Sequence, residues 1–175
     1  MFDFLKKKKM DLSTVKPIIS QKYQIEFKCR QTSNGYDYCT SVQWNGEKKY
    51  FYLELDSKKN FSINQTLAYF EAMFEKFSWW EENVKQKFLA DVFRDKDIAD
   101  IPNWSEWNSE NEESWHIKMT RNEFYNLIHI DEIEINKNGK IQFSIRIEGD
   151  NELVSPDSMW VSTEITGTKF NVHIQ

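Results

Sequence analysis

KYQIEFKCRQTSNGYDYCTSVQWNGEKKYFYLEL, residues 22–55, is the stretch on which the architecture turns. From Lys22 to Arg30 the chain alternates, with Tyr23, Ile25, Phe27 and Cys29 on one side and Gln24, Glu26 and Lys28 on the other. A period of two marks a half-buried strand. Tyr36, Tyr38, Thr40, Val42 and Trp44 continue the pattern after Asn34-Gly35, and Tyr50, Phe51, Tyr52, Leu53 and Leu55 follow Asn45-Gly46. Asn-Gly suits the two positive-φ positions of a tight hairpin turn, so the stretch predicts a three-stranded antiparallel meander. A two-residue turn at Asn34-Gly35 sets Phe27 opposite Val42, Ile25 opposite Trp44 and Cys29 opposite Thr40. A three-residue loop would bring Cys29 against Cys39 but pair Ile25 with Gln43 and Phe27 with Ser41, breaking the apolar face. The two cysteines are therefore expected on opposite faces as free thiols.

Beyond the meander, Ser62 and Gln65 have the capping-box form. Ile63, Leu67, Phe70, Phe74 and Phe77 then make one helical stripe, and a bend is expected at Ser78-Trp79-Trp80. Trp80, Val84, Phe88 and Val92, widened by Leu89 and Phe93, predict a second helix to about Arg94. Residues 95–114 lose periodicity and read as a long irregular loop. Thr120 with Glu123 caps a short helix through Phe124, Leu127 and Ile128. Strands resume at Ile133 and Ile135. Lys137-Asn138-Gly139, with Gly139 left-handed, sets Ile135 against Ile141 and Ile133 against Phe143. Met159, Val161, Thr163 and Ile165 form a further strand, returning after Thr166-Gly167-Thr168 through Phe170, Val172 and Ile174. The expected class is α+β: three N-terminal and about four C-terminal strands in antiparallel hairpins, packed against two central helices and one short helix. Residues 1–20 read as a flexible basic tail, and 21–175 as a single domain. Whether the strands make one sheet or two stays open.

The chain has 175 residues, enough to bury roughly 70% of its unfolded surface in one domain. Aromatics make up 15% of it, with 13 Phe, 7 Tyr and 7 Trp, so the core should be aromatic-rich. A net charge of -5 gives no overall basic field for a phosphate backbone. The longest apolar runs are far short of the roughly 20 residues of a spanning helix. Met1-Phe2-Asp3-Phe4-Leu5 ahead of Lys6 to Lys9 lacks the order of a secretory signal. A peripheral membrane contact by this tail is the alternative to a solvated terminus. With two cysteines and no disulfide framework, a reducing, cytoplasmic location is expected.

The chemistry-bearing residues form no recognised site. Gly35, Gly46, Gly139, Gly149 and Gly167 all sit in turn contexts between strands, so no strand-to-helix glycine loop cradles a phosphate. His116, His129 and His173 lack metal-ligand spacing. A His129 and Asp131 pair, sharing a strand face, is the one catalytic arrangement to test, and Cys29 lies on an apolar face that suits a buried thiol. Tyr36, Tyr38, Tyr50 and Tyr52 with Lys22, Lys28, Arg30, Lys48 and Lys49 offer a base-stacking stripe as an alternative to a plain sheet face. No cofactor, metal or catalytic residue is assigned. Asp97, Asp100, Glu106, Glu110, Glu112 and Glu113 are interleaved with Trp104 and Trp107 in a segment free of Lys and Arg. Such a surface suits a basic protein partner, with Trp as anchor.

From about Ile63 onward the order of features resembles an uncharacterised bacterial family, one of the domains of unknown function. The features are two aromatic helices, Asn103-Trp104-Ser105-Glu106, the capped Met119-Thr120-Arg121-Asn122-Glu123-Phe124, and a hairpin at Asn138-Gly139. The resemblance implies a Gly-His pair in the penultimate strand. Here that strand reads Ser158-Met159-Trp160-Val161-Ser162, so a ligand role for such a His does not carry over. Small acidic domains of this sort are similar to proteins that neutralise bacterial toxins. The function expected is thus a non-enzymatic protein-binding protein, an immunity protein for a basic toxin. The alternatives are a small hydrolase or transferase, or a nucleic-acid-binding module.

Overall fold

The structure, a computed structural model, describes residues 12, 15–33, 36–54, 63–93, 105–108, 113–116, 120–148, 153–154 and 158–174. Along the chain run β1 (Ile18–Ser20), β2 (Ile25–Gln31), β3 (Tyr36–Trp44), β4 (Glu47–Glu54), α1 (Ile63–Phe74) and α2 (Phe77–Phe93). There follow β5 (Ser105–Asn108), β6 (Glu113–His116), α3 (Arg121–Leu127), β7 (Ile128–Ile135), β8 (Lys140–Ile147), β9 (Leu153–Val154), β10 (Met159–Glu164) and β11 (Phe170–Ile174). The α+β class holds, but the strands outnumber the seven expected. Eight form one sheet in the order β1-β2-β3-β4-β7-β8-β10-β11, and β6-β5-β9 form a second.

The two strand groups join through β4 and β7, which run parallel with Tyr50 beside Glu132 and Leu53 beside Ile135. Hairpins alone predicted antiparallel pairing throughout. A parallel junction arises because the chain leaves β4 through the helices and returns by a crossover, which hairpins cannot supply. Pairing of Ile18–Ser20 with Ile25–Phe27 also carries the sheet back into the expected tail.

Local turn chemistry sets the registers. Asn45 (φ 49°) and Gly46 (φ 84°) make the two-residue turn between Trp44 and Glu47. Gly139 (φ 77°) places Ile135 against Ile141 and Ile133 against Phe143, as its three-residue loop requires. The β2–β3 hairpin differs: Gln31 pairs with Tyr36, so Cys29 faces Tyr38 rather than Thr40. This register opposes Arg30 to Asp37 as a two-pronged ion pair at 2.7 and 2.9 Å, which the tighter turn would forfeit. A shift of two preserves every face, and Cys29 and Cys39 are both free, half-buried thiols. Burial pushes each thiol up.

The capping box of α3 is present, with Thr120 Oγ1 accepting from the Glu123 amide and Glu123 Oε2 from the Thr120 amide. Ile128 does not extend this helix but opens β7. Ile128 and Ile130 pair with Ile147 and Ile145, then a bulge at Asp131 moves the inward positions to Ile133 and Ile135. That one extra residue hid the first half of the strand from a period-two reading. The bend expected at Ser78-Trp79-Trp80 lies earlier. There the Lys76 amide donates to the Met73 carbonyl, three residues back rather than four, and α2 starts at Phe77.

Both long helices cover one sheet face through aromatic rings. Phe70 packs edge-on against Phe27 and Phe51 at 4.9 and 5.3 Å, Phe77 against Trp44 at 5.0 Å, and Trp80 lies along Phe143 at 6.0 Å. Phe27, Phe51, Phe70, Phe88, Phe93 and Phe143 have no exposed surface. Among the described residues no helix is long and apolar enough to cross a membrane.

Candidate functional site

The opposite face of the large sheet carries polar and aromatic side chains, and the strand registers arrange them in rows. One row runs Lys28, Cys39, Tyr52, Glu134, Gln142, Ser162 and Asn171. Its neighbour runs Ser41, Tyr50, Glu132, Ser144, Trp160 and His173. Lys28, Arg30, Ser41, Tyr50, Glu132 and Glu134 are exposed, so this side is open to solvent over β2–β4 and β7. Beside the first row, toward the C-terminal ends of β4 and β7, a cavity of about 470 Å³ is lined by Arg30, Tyr36, Asp37, Tyr52, Glu54, Glu134 and Lys140, among others.

The lining of this cavity is acidic on balance, with Asp37, Glu54 and Glu134 against Arg30 and Lys140. Arg30 is held by Asp37 and lies 4.1 Å above the Tyr52 ring, so its charge is already matched. Tyr52 donates its hydroxyl to Glu132 at 3.2 Å, and burial, then the Glu132 charge, push its phenol up to about 12. Glu54, Glu132 and Glu134 have no lysine or arginine paired with them among the described residues. Burial first, then the charges of Glu132 and Asp37, hold the Glu134 carboxyl above the usual range, with Glu54 adding to them against the opposing Arg30. Crowded carboxylates of this kind are stabilised by an arriving cation.

A second charged cluster sits at the other end of β4. Lys49 is 1% exposed and pairs with Glu47 and, at 3.2 Å, with Glu81 of α2. Glu47 also bonds His129 Nδ1 at 2.8 Å. Burial opposes the charge on Glu47, but Lys49 and then His129 outweigh it and hold its carboxyl below the usual range. This cluster buckles helix α2 to the sheet.

The residues singled out by sequence fall in several places. Glu106 and Trp107 lie in β5, opposite Trp115 and Ser114, and Glu113 opens β6 opposite Asn108. The stretch 95–114 is therefore not irregular throughout: it contributes to a hairpin that β9 completes. Four-residue strands are too short to declare a period, and their third partner arrives from far along the chain. Asp97, Asp100, Trp104, Glu110 and Glu112 lie outside the described residues. His129 and Asp131 are not brought together as a pair, since Asp131 is the bulged residue bound by Arg146 while His129 turns to Glu47. The expected basic stripe divides: Lys49 is buried, Arg30 is matched by Asp37, and Tyr38 packs on the core side. His173 is exposed, stacks on Trp160 at 5.0 Å and lies 3.4 Å from the Ser162 hydroxyl. Among the described residues no group of His, Cys, Asp and Glu is placed to hold a metal ion. The carboxylates at 54, 132 and 134 were missed because a lone Glu on a strand reads as plain solvent-face alternation. Only cross-strand register reveals them as neighbours.

No curated protein and no solved structure matches the chain. Residues 26–174 match an uncharacterised protein family conserved in bacteria (DUF2262), a span that starts in the first long strand and reaches well beyond the resemblance seen from Ile63 onward. The chain belongs to this family.

Proposed function

We propose that this protein is a non-enzymatic binding domain that engages a basic protein partner, as an immunity protein engages a nuclease toxin. The observation that carries the reading is the open sheet face, where Glu54 and Glu134 line an aromatic-walled cavity, Glu132 stands in the next row beside it, and none of the three has an ion-pair partner among the described residues. Tyr50 and Tyr52 supply rigid contact area there at low entropic cost. Uncompensated carboxylates weaken the free protein slightly and are neutralised when lysine or arginine side chains dock, so the charge serves recognition. The acidic segment from Asp97 to Glu113 extends the same charge sign along the chain.

Extract from the native host tests this. Wild type, a face variant (Glu54→Lys, Glu132→Lys, Glu134→Lys) and a segment variant (Glu110→Lys, Glu112→Lys, Glu113→Lys) serve as baits, and any recovered protein is purified and titrated calorimetrically. The expected result is a basic partner bound by wild type, with affinity that falls as salt rises and is lost in the face variant. No specific partner with wild type, or one bound equally by all three baits, refutes the reading.

A further inference from the structure

The large sheet has two edges, and they are built differently. At one end β1 is three residues long and follows Pro17, which has no N–H to offer a neighbouring strand. Short strands and proline are the usual means of blocking edge pairing. At the other end β11 is Phe170-Asn171-Val172-His173-Ile174, with no proline, lysine, arginine or carboxylate. Among the described residues it pairs with β10 alone, which leaves one row of backbone N–H and C=O groups along its outer side.

The flank of this edge is apolar. Trp79 of α2 is 46% exposed, the most exposed of the large hydrophobic residues described. Its ring lies over the β10–β11 turn, 2.8 Å from where a Cβ on Gly167 would stand. Along the strand itself, Phe170, Val172 and Ile174 are each only half-buried. An unblocked strand edge next to an exposed tryptophan is what a paired sheet would cover.

The composition of the strand points to its occupant. A neutral strand draws no gain from a charged one, whereas its own sequence is complementary to itself in the antiparallel sense. A two-fold axis through Val172 sets Phe170 opposite Ile174 and Asn171 opposite His173. Aromatic meets aliphatic on the helix side, and amide meets imidazole on the open side. We propose that β11 is a self-association edge: two copies of this chain pair antiparallel about Val172 and join their large sheets into one. The contact is isologous and closes at two, as such interfaces do. It does not depend on the basic partner proposed above.

Sedimentation equilibrium of the full chain over a concentration series should show a reversible monomer–dimer equilibrium. Asn171 and His173 are exposed, so Asn171→Lys with His173→Lys should keep the fold, checked by circular dichroism, yet place like charges face to face across the axis. The dimer dissociation constant should rise about tenfold or more. Register is read separately by oxidation. Val172→Cys should give an intermolecular disulfide at position 172, since paired Cβ atoms lie about 5 Å apart. Asn171→Cys should not, because its symmetry mate stands diagonally, about 7–8 Å away. A chain that stays monomeric throughout, a dimer indifferent to the lysine pair, or cross-linking no better at 172 than at 171 would each overturn the proposal.

Discussion

Replacing Glu134 by Gln should make the folded protein more stable at neutral pH. The carboxyl is raised above its ordinary value of 4.5 by burial and by the charges of Glu132 and Asp37, with Glu54 behind them. A raised carboxyl means that the folded state prefers the protonated form. Its contribution to stability is complete below pH 4.5, the unfolded value, and is lost as pH rises through the folded value. At pH 7 wild type therefore bears a repulsion that the neutral amide of the variant lacks. The size follows from the geometry: Glu134 is an exposed residue, so solvent screens the repulsion to the level of cross-strand like-charge contacts, a few tenths to about 1 kcal/mol. In a chain of this length that corresponds to a rise of about 1–4 °C in Tm. Urea unfolding with an unchanged m-value measures the gain at pH 7, and repeating it below pH 4.5 should bring the two proteins together. The same substitution should weaken binding of a basic partner, a trade of function against stability that marks a binding site. If Glu134→Gln destabilises at pH 7, or if its gain is the same at both pH values, the carboxylates are not in conflict and the cavity loses its claim to a cationic ligand.

Three further outcomes concern the framework. Phe51→Ala, at a fully buried ring touching Phe70, Phe74 and Phe77, should cost about 3–5 kcal/mol in urea unfolding, since helix and sheet meet there. Lys49→Met should cost about 1–3 kcal/mol by leaving the mostly buried Glu81 without its cation, while Glu47 keeps His129, and adding Glu81→Gln should recover part of it; a purely additive double-mutant cycle would show that the pair is not coupled. Gly167→Ala should lower Tm, because a φ of +64° costs an L-residue roughly 1–2 kcal/mol and its Cβ would press the Trp79 ring at 2.8 Å.

Much of the fold is legible in short-range pattern. Alternation from Tyr23 to Cys29, the Asn45-Gly46 turn, the Gly139 loop with its Ile135–Ile141 register, the Thr120–Glu123 capping box and the Phe70–Phe93 helical surface are all decided by neighbours a few residues apart. Two free thiols on opposite faces follow from the same parity, which a register shift of two leaves intact. Where the pattern is broken by one residue, as at the Asp131 bulge, or is too brief to repeat, as in Ser105–Asn108 and Glu113–His116, no local signal marks the strand.

The α+β class, the aromatic core, the hairpin turns that set most strand pairs and the acidic balance are all present in the linear chain, because each depends on composition or on contacts within a few residues. Long-range packing was needed to set β4 and β7 side by side, uniting two strand groups into one sheet. That junction brings Tyr50 and Tyr52 next to Glu132 and Glu134, about eighty positions further along the chain. The candidate site is made of this adjacency. Parallel pairing across such a distance is governed by how the helices pack over the apolar face, a free energy shared among many residues and written in no single motif.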